Sequence, residues 1–232
     1  MATVMNRQGK AACAVCCANG SGGISLEGHL VRLRPYQEDD LPFLYELRND
    51  TSSLYLWSGR RELVSPFAFR DELKYDEQNG MLRLIIEKRS GGDRLGMVFS
   101  YDHARSDRHC SIATVLRPQV RQRGYGAEAT ALFLRYLFAY MGLEKVYAMV
   151  YEYNRVSRKT LEHGGFKLEG VFPHHRFWNG RWWTMFQYAF YRDNSNHLEQ
   201  ILARFCPNQR RNAHPAPSVA NPICSSAQHT LR

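Results

Sequence analysis

The amino-acid sequence predicts an α/β protein with a mixed, mostly antiparallel sheet that is flanked by helices. Two observations lead to this fold class. Strand-like and helix-like patterns alternate along most of the chain, as in α/β proteins, but three strand-like segments follow one another with no helix between them. Consecutive strands with short turns pair antiparallel, whereas strands joined through a helix can pair parallel. A purely parallel, doubly wound sheet is therefore disfavoured.

The first half of the chain is predicted to contain a strand, two helices and then three strands. The second helix has the clearest start, because Ser65 is a good N-cap and Pro66 suits the first helical position. Gly91 and Gly92, and later a polar turn, separate the last three strands. The predicted strands are 29–34, 81–88, 94–102 and 109–116, and the predicted helices are 39–49 and 65–78.

The second half has more regular patterns. Large apolar residues recur at helical spacing before Gly142, which predicts a long helix over 126–141. Val146, Ala148 and Val150 alternate with other residues and predict a strand over 145–153. A further helix is predicted over 155–163, followed by two aromatic strands over 166–177 and 181–191.

Composition divides the 232 residues into one domain and two tails. Residues 1–28 are rich in Gly, Ala and Ser, and the chain after about Pro207 is rich in Pro, Asn, Ser and Ala. We therefore predict a flexible N-terminal tail over 1–28, a single domain over 29–192 and a largely flexible C-terminal extension over 193–232.

The net charge of +9 predicts an acidic partner, either a phosphate-rich ligand or nucleic acid. The two tails carry +1 and +2, which leaves +6 on the predicted domain. The excess is thus not a basic tail of the kind that grips nucleic acid. A solvated basic surface without a partner remains the alternative.

Neither a membrane nor a metal is expected as a partner. No apolar run approaches the roughly 20 residues of a membrane helix, and the apolar stretch 11–18 makes a poor signal peptide. Five of the six cysteines lie in the tails, without the dense spacing of a disulfide scaffold, so we expect a cytoplasmic protein. Cys13, Cys16 and Cys17 resemble the start of a zinc knuckle, but no second close pair of ligands follows them.

The sharpest chemical feature is the segment Arg121-Gln-Arg-Gly-Tyr-Gly-Ala-Glu-Ala129, between a predicted strand and the long helix. Glycines there allow a tight turn that directs several amides at one point, and a helix N-terminus favours an anion. The segment lacks the Lys-Ser/Thr of a P-loop and the glycine spacing of a dinucleotide fold. It therefore predicts a pyrophosphate site for a ligand other than ATP or NAD.

Three motifs in order carry a family resemblance. They are Thr114-Val-Leu-Arg-Pro through Ala129, Asn154-x-x-Ser157 and Gly165-Phe-Lys-Leu-Glu-Gly170. Together they resemble the GNAT superfamily of N-acetyltransferases, and more closely its branch of ribosomal-protein N-terminal acetyltransferases. The resemblance covers residues 28–192 and leaves both tails outside.

The resemblance implies a GNAT fold, in which two central strands splay into a V, and acetyl-CoA as cosubstrate without a metal. Amides between about Gln122 and Ala127 would hold the pyrophosphate. A strand amide near Val115 or Leu116 would face the thioester carbonyl and stabilise the oxyanion that develops there. With the motif residue Asn154 on the pantetheine arm, the implied cofactor-binding residues are Leu116, Gln122, Arg123, Gly124, Tyr125, Gly126, Ala127 and Asn154.

Asn154 and Ser157 fall in the first turn of the predicted helix 155–163, on one face. A purely structural role for Asn154 as helix N-cap is the alternative to cofactor binding. The resemblance implies that the Ser157 hydroxyl protonates the leaving thiolate. The wider family often uses a Tyr four residues later, but that position is Leu161, and Tyr153 is the nearest Tyr in sequence.

The general base is where the sequence departs from the branch. In that branch, acidic residues are common at two positions where this chain has Ser111 and Thr184 instead. His174 and His175 offer imidazoles that could accept an ammonium proton near neutral pH. Since neighbouring strand residues point to opposite faces, at most one of them should face the cleft. The alternatives, which we favour, are a water relay and histidines that are merely solvated.

The acceptor site is predicted less closely. Aromatic residues crowd the last two strands, where packing in the core explains most of them. One of Trp178, Trp182 or Trp183 could still contact the acceptor, as could Trp57, and from these we choose Trp57 and Trp178 as candidates. We expect an acetyl-CoA-dependent N-acyltransferase that acts on a primary amine, either a protein N-terminus or a small molecule, and a homodimer is compatible with it. The alternatives are a CoA-binding module without acetyl transfer and, less favoured, a nucleic-acid-binding protein.

Overall fold

The computed structural model describes residues 25–56 and 62–206, and its strands form one eight-stranded sheet in the order β1-β2-β3-β4-β5-β6-β8-β7. Only β5 and β6 pair parallel, and every other neighbouring pair is antiparallel. The mixed, mostly antiparallel sheet is thus confirmed. The strands are β1 (Leu26–Glu27), β2 (Val31–Pro35), β3 (Leu82–Lys88), β4 (Arg94–Ala104), β5 (His109–Leu116), β6 (Lys145–Tyr151), β7 (Lys167–Trp178) and β8 (Arg181–Tyr191).

Helices cover both faces of the sheet. On one face α1 (Leu41–Arg48) and α2 (Pro66–Gln78) pack on Ile85, Met97 and Phe99. On the other face α3 (Tyr125–Tyr140) and α5 (Ser195–Phe205) bury the larger part of the core, while α4 (Arg155–His163) joins β6 to β7. None of these helices in the described part of the chain is long and apolar enough to cross a membrane.

The predicted start of α2 is confirmed. Ser65 Oγ accepts a hydrogen bond from the Ala68 amide at 3.2 Å, and Pro66 takes the first helical position. The cap satisfies one of the amides that has no partner within the helix.

The two central strands splay apart after a short contact. β5 and β6 pair only where residues 109–111 lie beside residues 145–147. Beyond that point β5 continues along β4 to Leu116, and β6 continues along β8 to Tyr151. The two strands therefore diverge into the expected V, which is open at the ends that lead to the glycine loop and to α4.

The ordered structure extends beyond residues 29–192 at both ends. Leu26 pairs with Leu33, so β1 lies within the predicted N-terminal tail. In the range 193–232, residues 195–205 form α5, because Leu198 and Ile201 give this segment a buried face. The remaining parts of the predicted tails, 1–24 and 207–232, lie outside the described residues, and so do Cys13, Cys16 and Cys17.

Candidate active site

The glycine loop leads into α3 with the geometry of an anion site. Gln122 and Gly124 have positive φ angles of 61° and 85°, so the chain turns sharply before Tyr125 begins the helix. The first intrahelical bond runs from the Glu128 amide to the Gly124 carbonyl at 3.0 Å. The preceding amides, from Tyr125 to Ala127, therefore have no acceptor within the helix and lie at its positive end. This loop has the donors that a pyrophosphate needs.

The first turn of α3 packs directly on the end of β5. A Cβ on Gly126 would lie 3.3 Å from Leu116 Cδ1, tighter than an ordinary contact. One turn later, the hydroxyls of Thr114 and Thr130 share a hydrogen bond of 2.8 Å. The second glycine of the motif thus allows close packing of helix on strand, and it brings the loop amides next to the open end of the V.

Arg121 opens the loop motif, but the sequence argument gave its side chain no role. Its Nε donates to the Leu116 carbonyl at 3.1 Å, and its Nη2 donates to Ser53 Oγ at 2.5 Å. Ser53 in turn donates to Asp50 at 2.6 Å. Burial raises the pKa of Asp50, but hydrogen bonds from Ser52 and Ser53 and the charge of Arg121 outweigh it, so the pKa is lowered. Arg121 thus ties the loop to the segment after α1, a role that its place in the motif alone does not reveal.

The Leu116 amide points into the V. The next amide, that of Arg117, donates to the Leu95 carbonyl next to β4 at 3.0 Å. Because successive amides of a strand point to opposite edges, the amide of Leu116 points to the edge that β6 has left. The Leu116 carbonyl, which accepts from Arg121, lies on this same edge. The Leu116 amide therefore has the orientation that an oxyanion donor at this position would need.

Asn154 and Ser157 are brought together in the first turn of α4. Asn154 Oδ1 accepts from the Ser157 amide at 3.2 Å, so the N-cap role is present. The cap uses only the oxygen of the side chain, and the Asn154 Nδ2 group can still donate to a ligand. Ser157 is half-buried, with its hydroxyl not used by the cap. The structural and the ligand-binding roles of Asn154 are therefore compatible.

Aromatic rings line the other side of the open end. Tyr153, two residues after β6, donates its hydroxyl to the Tyr55 carbonyl at 2.5 Å. The Tyr55 ring stacks on Trp178 with centroids 6.2 Å apart, and Trp183 meets the Tyr153 ring edge-on at 5.1 Å. Trp178 thus lies in this wall, while Trp57 lies outside the described residues. Since the Tyr153 hydroxyl already donates its proton to the Tyr55 carbonyl, we favour Ser157 over Tyr153 as the candidate for the general acid.

The two histidines sit in a bulge that breaks the expected strand alternation. Phe172 pairs with Met185 and Arg176 pairs with Trp183, so three β7 residues lie opposite one residue of β8. His174 also has a positive φ of 51°, which is not a strand conformation. The expectation that the side chains of His174 and His175 point to opposite faces of the sheet therefore does not apply. The surroundings still differ: the His175 ring lies 6.2 Å from that of Tyr151, whereas the His174 ring lies beside Trp182, which is more than half exposed.

Positions 111 and 184 carry no acid themselves, but the exposed carboxylate of Glu152, the residue after β6, lies beside Thr184. Ser111 is buried in β5, and Thr184 donates its amide to the Glu152 carboxylate at 3.4 Å. Cys110, also in β5, is fully buried, and burial raises the pKa of its thiol to about 12. This thiol is therefore not a nucleophile at neutral pH.

Comparison with known proteins identifies the family. The acetyltransferase (GNAT) domain matches residues 31–167. The spermidine N(1)-acetyltransferase of Escherichia coli (strain K12) is 26% identical over 156 residues, which are 66% of this chain and 82% of that protein. An uncharacterised N-acetyltransferase of Bacillus subtilis (strain 168), YoaA, is 28% identical over 106 residues, 46% of this chain and 59% of that protein.

Solved structures share the fold. The crystal structure of spermidine N-acetyltransferase from Vibrio cholerae, in complex with CoA and spermine, superposes with a TM-score of 0.67 at 21% identity, and covers 73% of this chain and 98% of that chain. A probable acetyltransferase gives a TM-score of 0.64 at 18% identity, with the same two coverages. The motifs, the splayed strands and the family match agree, and the chain belongs to the GNAT family of acetyltransferases.

Proposed function

We propose that this acetyltransferase moves the acetyl group of acetyl-CoA to a primary amine by direct attack of the amine. The observation that carries the proposal is the position of the loop amides and of the Leu116 amide at the same open end of the V. The loop amides suit a pyrophosphate, and the Leu116 amide suits a developing oxyanion. Both belong to backbone held by α3 and β4, so the donors are already in place before the substrates bind.

The chain has the groups that would hold acetyl-CoA. Amides from Gln122 to Ala127 would bind the pyrophosphate, and the exposed guanidinium of Arg123 adds a positive charge at the loop. The Asn154 Nδ2 group would donate to the pantetheine arm. Bound acetyl-CoA supplies an acetyl group that is activated as a thioester.

The transfer itself needs one donor for the oxygen, one acid and one base. The Leu116 amide would donate to the carbonyl oxygen as the amine nitrogen bonds to the carbonyl carbon and the carbon–sulfur bond breaks. The Ser157 hydroxyl would donate its proton to the departing sulfur and regain a proton from water, so that the products are the N-acetylated amine and the free CoA thiol. The proton lost from the amine would pass to His175, whose ring lies 6.2 Å from that of Tyr151 at the end of β6, or to water.

The finer identity of the acceptor belongs to the proposal as well. The three motifs favour the ribosomal-protein branch and hence a protein N-terminus, whereas relatives with a named substrate act on spermidine. A small-molecule amine is the second candidate, since the aromatic wall around Tyr55 and Trp178 suits a compact ligand. A homodimer remains a prediction.

Release of free CoA thiol tests the proposal. Purified full-length protein is mixed with acetyl-CoA and a panel of primary amines that includes peptides with free N-termini, diamines and amino acids. Amine-dependent thiol release is the expected result. Saturable binding of acetyl-CoA without release for any amine would contradict acetyl transfer and would favour a CoA-binding module instead.

A further inference from the structure

The C-terminal helix α5 ends at the glycine loop. Its buried face packs on the same core as α3. Glu199, in the first half of α5, pairs with Arg135, in the second half of α3, at 3.9 Å. Phe205, the last residue of α5, lies beside Gly124, the residue before α3. The two helices therefore run antiparallel, and the C-terminal end of α5 lies at the N-terminal end of α3.

Gly124 is packed against two apolar side chains. A Cβ on this residue would lie 3.0 Å from Phe205 Cε1 and 3.4 Å from Leu30 Cδ1, so the backbone itself is in close contact with both. This packing matters because glycine adopts positive and negative φ angles about equally well. The observed φ of 85° is one of several angles that the Gly124 backbone alone would allow. The contacts with Phe205 and Leu30 therefore favour the observed turn over the others.

The turn at Gly124 decides where the loop amides point. The amides from Tyr125 to Ala127 follow it directly and have no acceptor within α3. Two residues before the turn, Gln122 has a positive φ of 61°, which residues other than glycine seldom adopt. A loop with such a backbone persists only when its surroundings hold it in place. Arg121 holds the start of the loop, and Phe205 holds its end.

We propose that Phe205 is a positioning residue for acetyl-CoA, because it holds the glycine loop in the conformation that binds the pyrophosphate. This inference rests on the proposed binding of the pyrophosphate at this loop. It makes α5 part of the cosubstrate site, although the helix lies beyond residues 31–167, the segment that matches the GNAT domain. A loop that is already ordered binds its ligand at a lower entropic cost. A loop that samples other conformations binds more weakly, in proportion to the fraction that is still competent.

Two acetyl donors separate the positioning of the loop from a general effect on the fold. Acetyl-CoA carries the pyrophosphate, whereas S-acetyl-pantetheine offers the same thioester and arm without any phosphate. With full-length protein and a saturating amine, Phe205→Ala should lower kcat/KM about fivefold for acetyl-CoA and leave it nearly unchanged for S-acetyl-pantetheine. The KM for the amine should not change. An equal loss with both donors, or no loss with acetyl-CoA, would contradict the inference.

Two further variants serve as controls. Phe205→Leu keeps a large apolar side chain at the end of α5 and should recover most of the kcat/KM for acetyl-CoA. Leu198→Ala removes a side chain that is only 2% exposed, about two helical turns before Phe205, so it should lower the stability of the fold. The ratio of kcat/KM for the two donors should nevertheless stay at its wild-type value in Leu198→Ala. A ratio that shifts as far in Leu198→Ala as in Phe205→Ala would reduce the role of Phe205 to fold stability.

Binding of CoA tests the inference independently of acetyl transfer. Isothermal titration calorimetry with CoA alone should show about fivefold weaker binding to Phe205→Ala than to the wild type, and wild-type binding to Leu198→Ala. This difference without turnover of any amine would overturn the proposed acetyl transfer but support the role of Phe205. Equal CoA affinities for the wild type and Phe205→Ala would overturn the inference and leave acetyl transfer intact.

Discussion

The ring of Phe205 lies against Gly124: its Cε1 atom is 3.0 Å from the point that a Cβ on Gly124 would occupy. Phe205 is the last residue of α5, and α5 lies beyond the 31–167 segment that matches the GNAT domain. The C-terminal helix therefore contacts the residue at which the glycine loop turns into α3. This contact joins an element outside the family match to the proposed pyrophosphate site.

Gly124→Ala is expected to raise the KM for acetyl-CoA about tenfold or more, since it combines a strained backbone with a clash against Phe205. Steady-state kinetics at saturating amine would measure it. Gly80→Ala is the matched control, because Gly80 has a similar φ of 78° but nothing within 4 Å of its Cβ position. Equal KM values for the two variants would show that the loop does not hold the cofactor.

Ser157→Ala should lower kcat about a hundredfold when chemistry limits the rate, because a general acid contributes on that order. The affinity for CoA should change little, since the helix cap uses the backbone amide of Ser157 and not its hydroxyl. Thr160→Ala on the same helix is the control, as the Thr160 hydroxyl donates to the Val156 carbonyl within the helix. An unchanged kcat in single-turnover measurements would remove Ser157 from the mechanism.

Glu128→Gln should reduce the free energy of unfolding by about 2 kcal/mol, because a buried charged acceptor is lost. The Glu128 carboxylate accepts from the amides of His29, Leu30 and Val31 at 2.7, 2.8 and 2.9 Å. Urea denaturation would measure the change, with Glu199→Gln, at an exposed ion pair, as the reference. Equal effects of the two substitutions would show that the Glu128 contacts contribute little to stability.

Asp40→Asn should destabilise the protein at neutral pH by about 2 kcal/mol, since it removes a fully buried carboxylate that accepts hydrogen bonds from the partly exposed Arg34 and Arg94. Burial raises the pKa of Asp40, but hydrogen bonds from Arg34, the Gln37 amide and Arg94 prevail and lower it to about 2. A lowered pKa stabilises the fold above the unfolded value of about 4, and this stability is lost as the pH falls towards 2.

The pH dependence of unfolding therefore separates Asp40 from an ordinary surface carboxylate. Urea unfolding between about pH 5 and pH 2 should show a shallower loss of stability for Asp40→Asn than for the wild type. Asp71→Asn, at an exposed position of α2, should follow the wild-type slope. Parallel curves for the wild type and Asp40→Asn would contradict the assigned pKa.

Most of the fold was predictable from local patterns. Ser65 with Pro66 gave the start of α2, and alternating apolar residues gave the strands. The bulge at residues 173–175 was not predictable, because alternation assumes one partner for each strand residue, and His174 with its positive φ breaks that assumption. The helix α5 was hidden by its polar composition, although Leu198 and Ile201 stand at the i, i+3 spacing of a buried face.

The candidate site was predictable only where chemistry lies in the backbone. The glycines of the loop indicated where amides would gather, because glycine readily adopts a positive φ such as that of Gly124. The contact of Arg121 with Ser53 spans 68 residues of sequence, and the burial of Arg176 depends on a bulge and on the Tyr151 ring. Such contacts arise only from the tertiary packing of separate elements.

The most direct test of acetyl transfer is mass spectrometry of the amine products after incubation with acetyl-CoA that carries an isotopically labelled acetyl group. The proposal predicts that the label appears in an N-acetylated amine, in an amount equal to the CoA thiol released, and that Ser157→Ala forms this product about a hundredfold more slowly. Label found only in unreacted acetyl-CoA or in free acetate, for every amine in the panel, would contradict it.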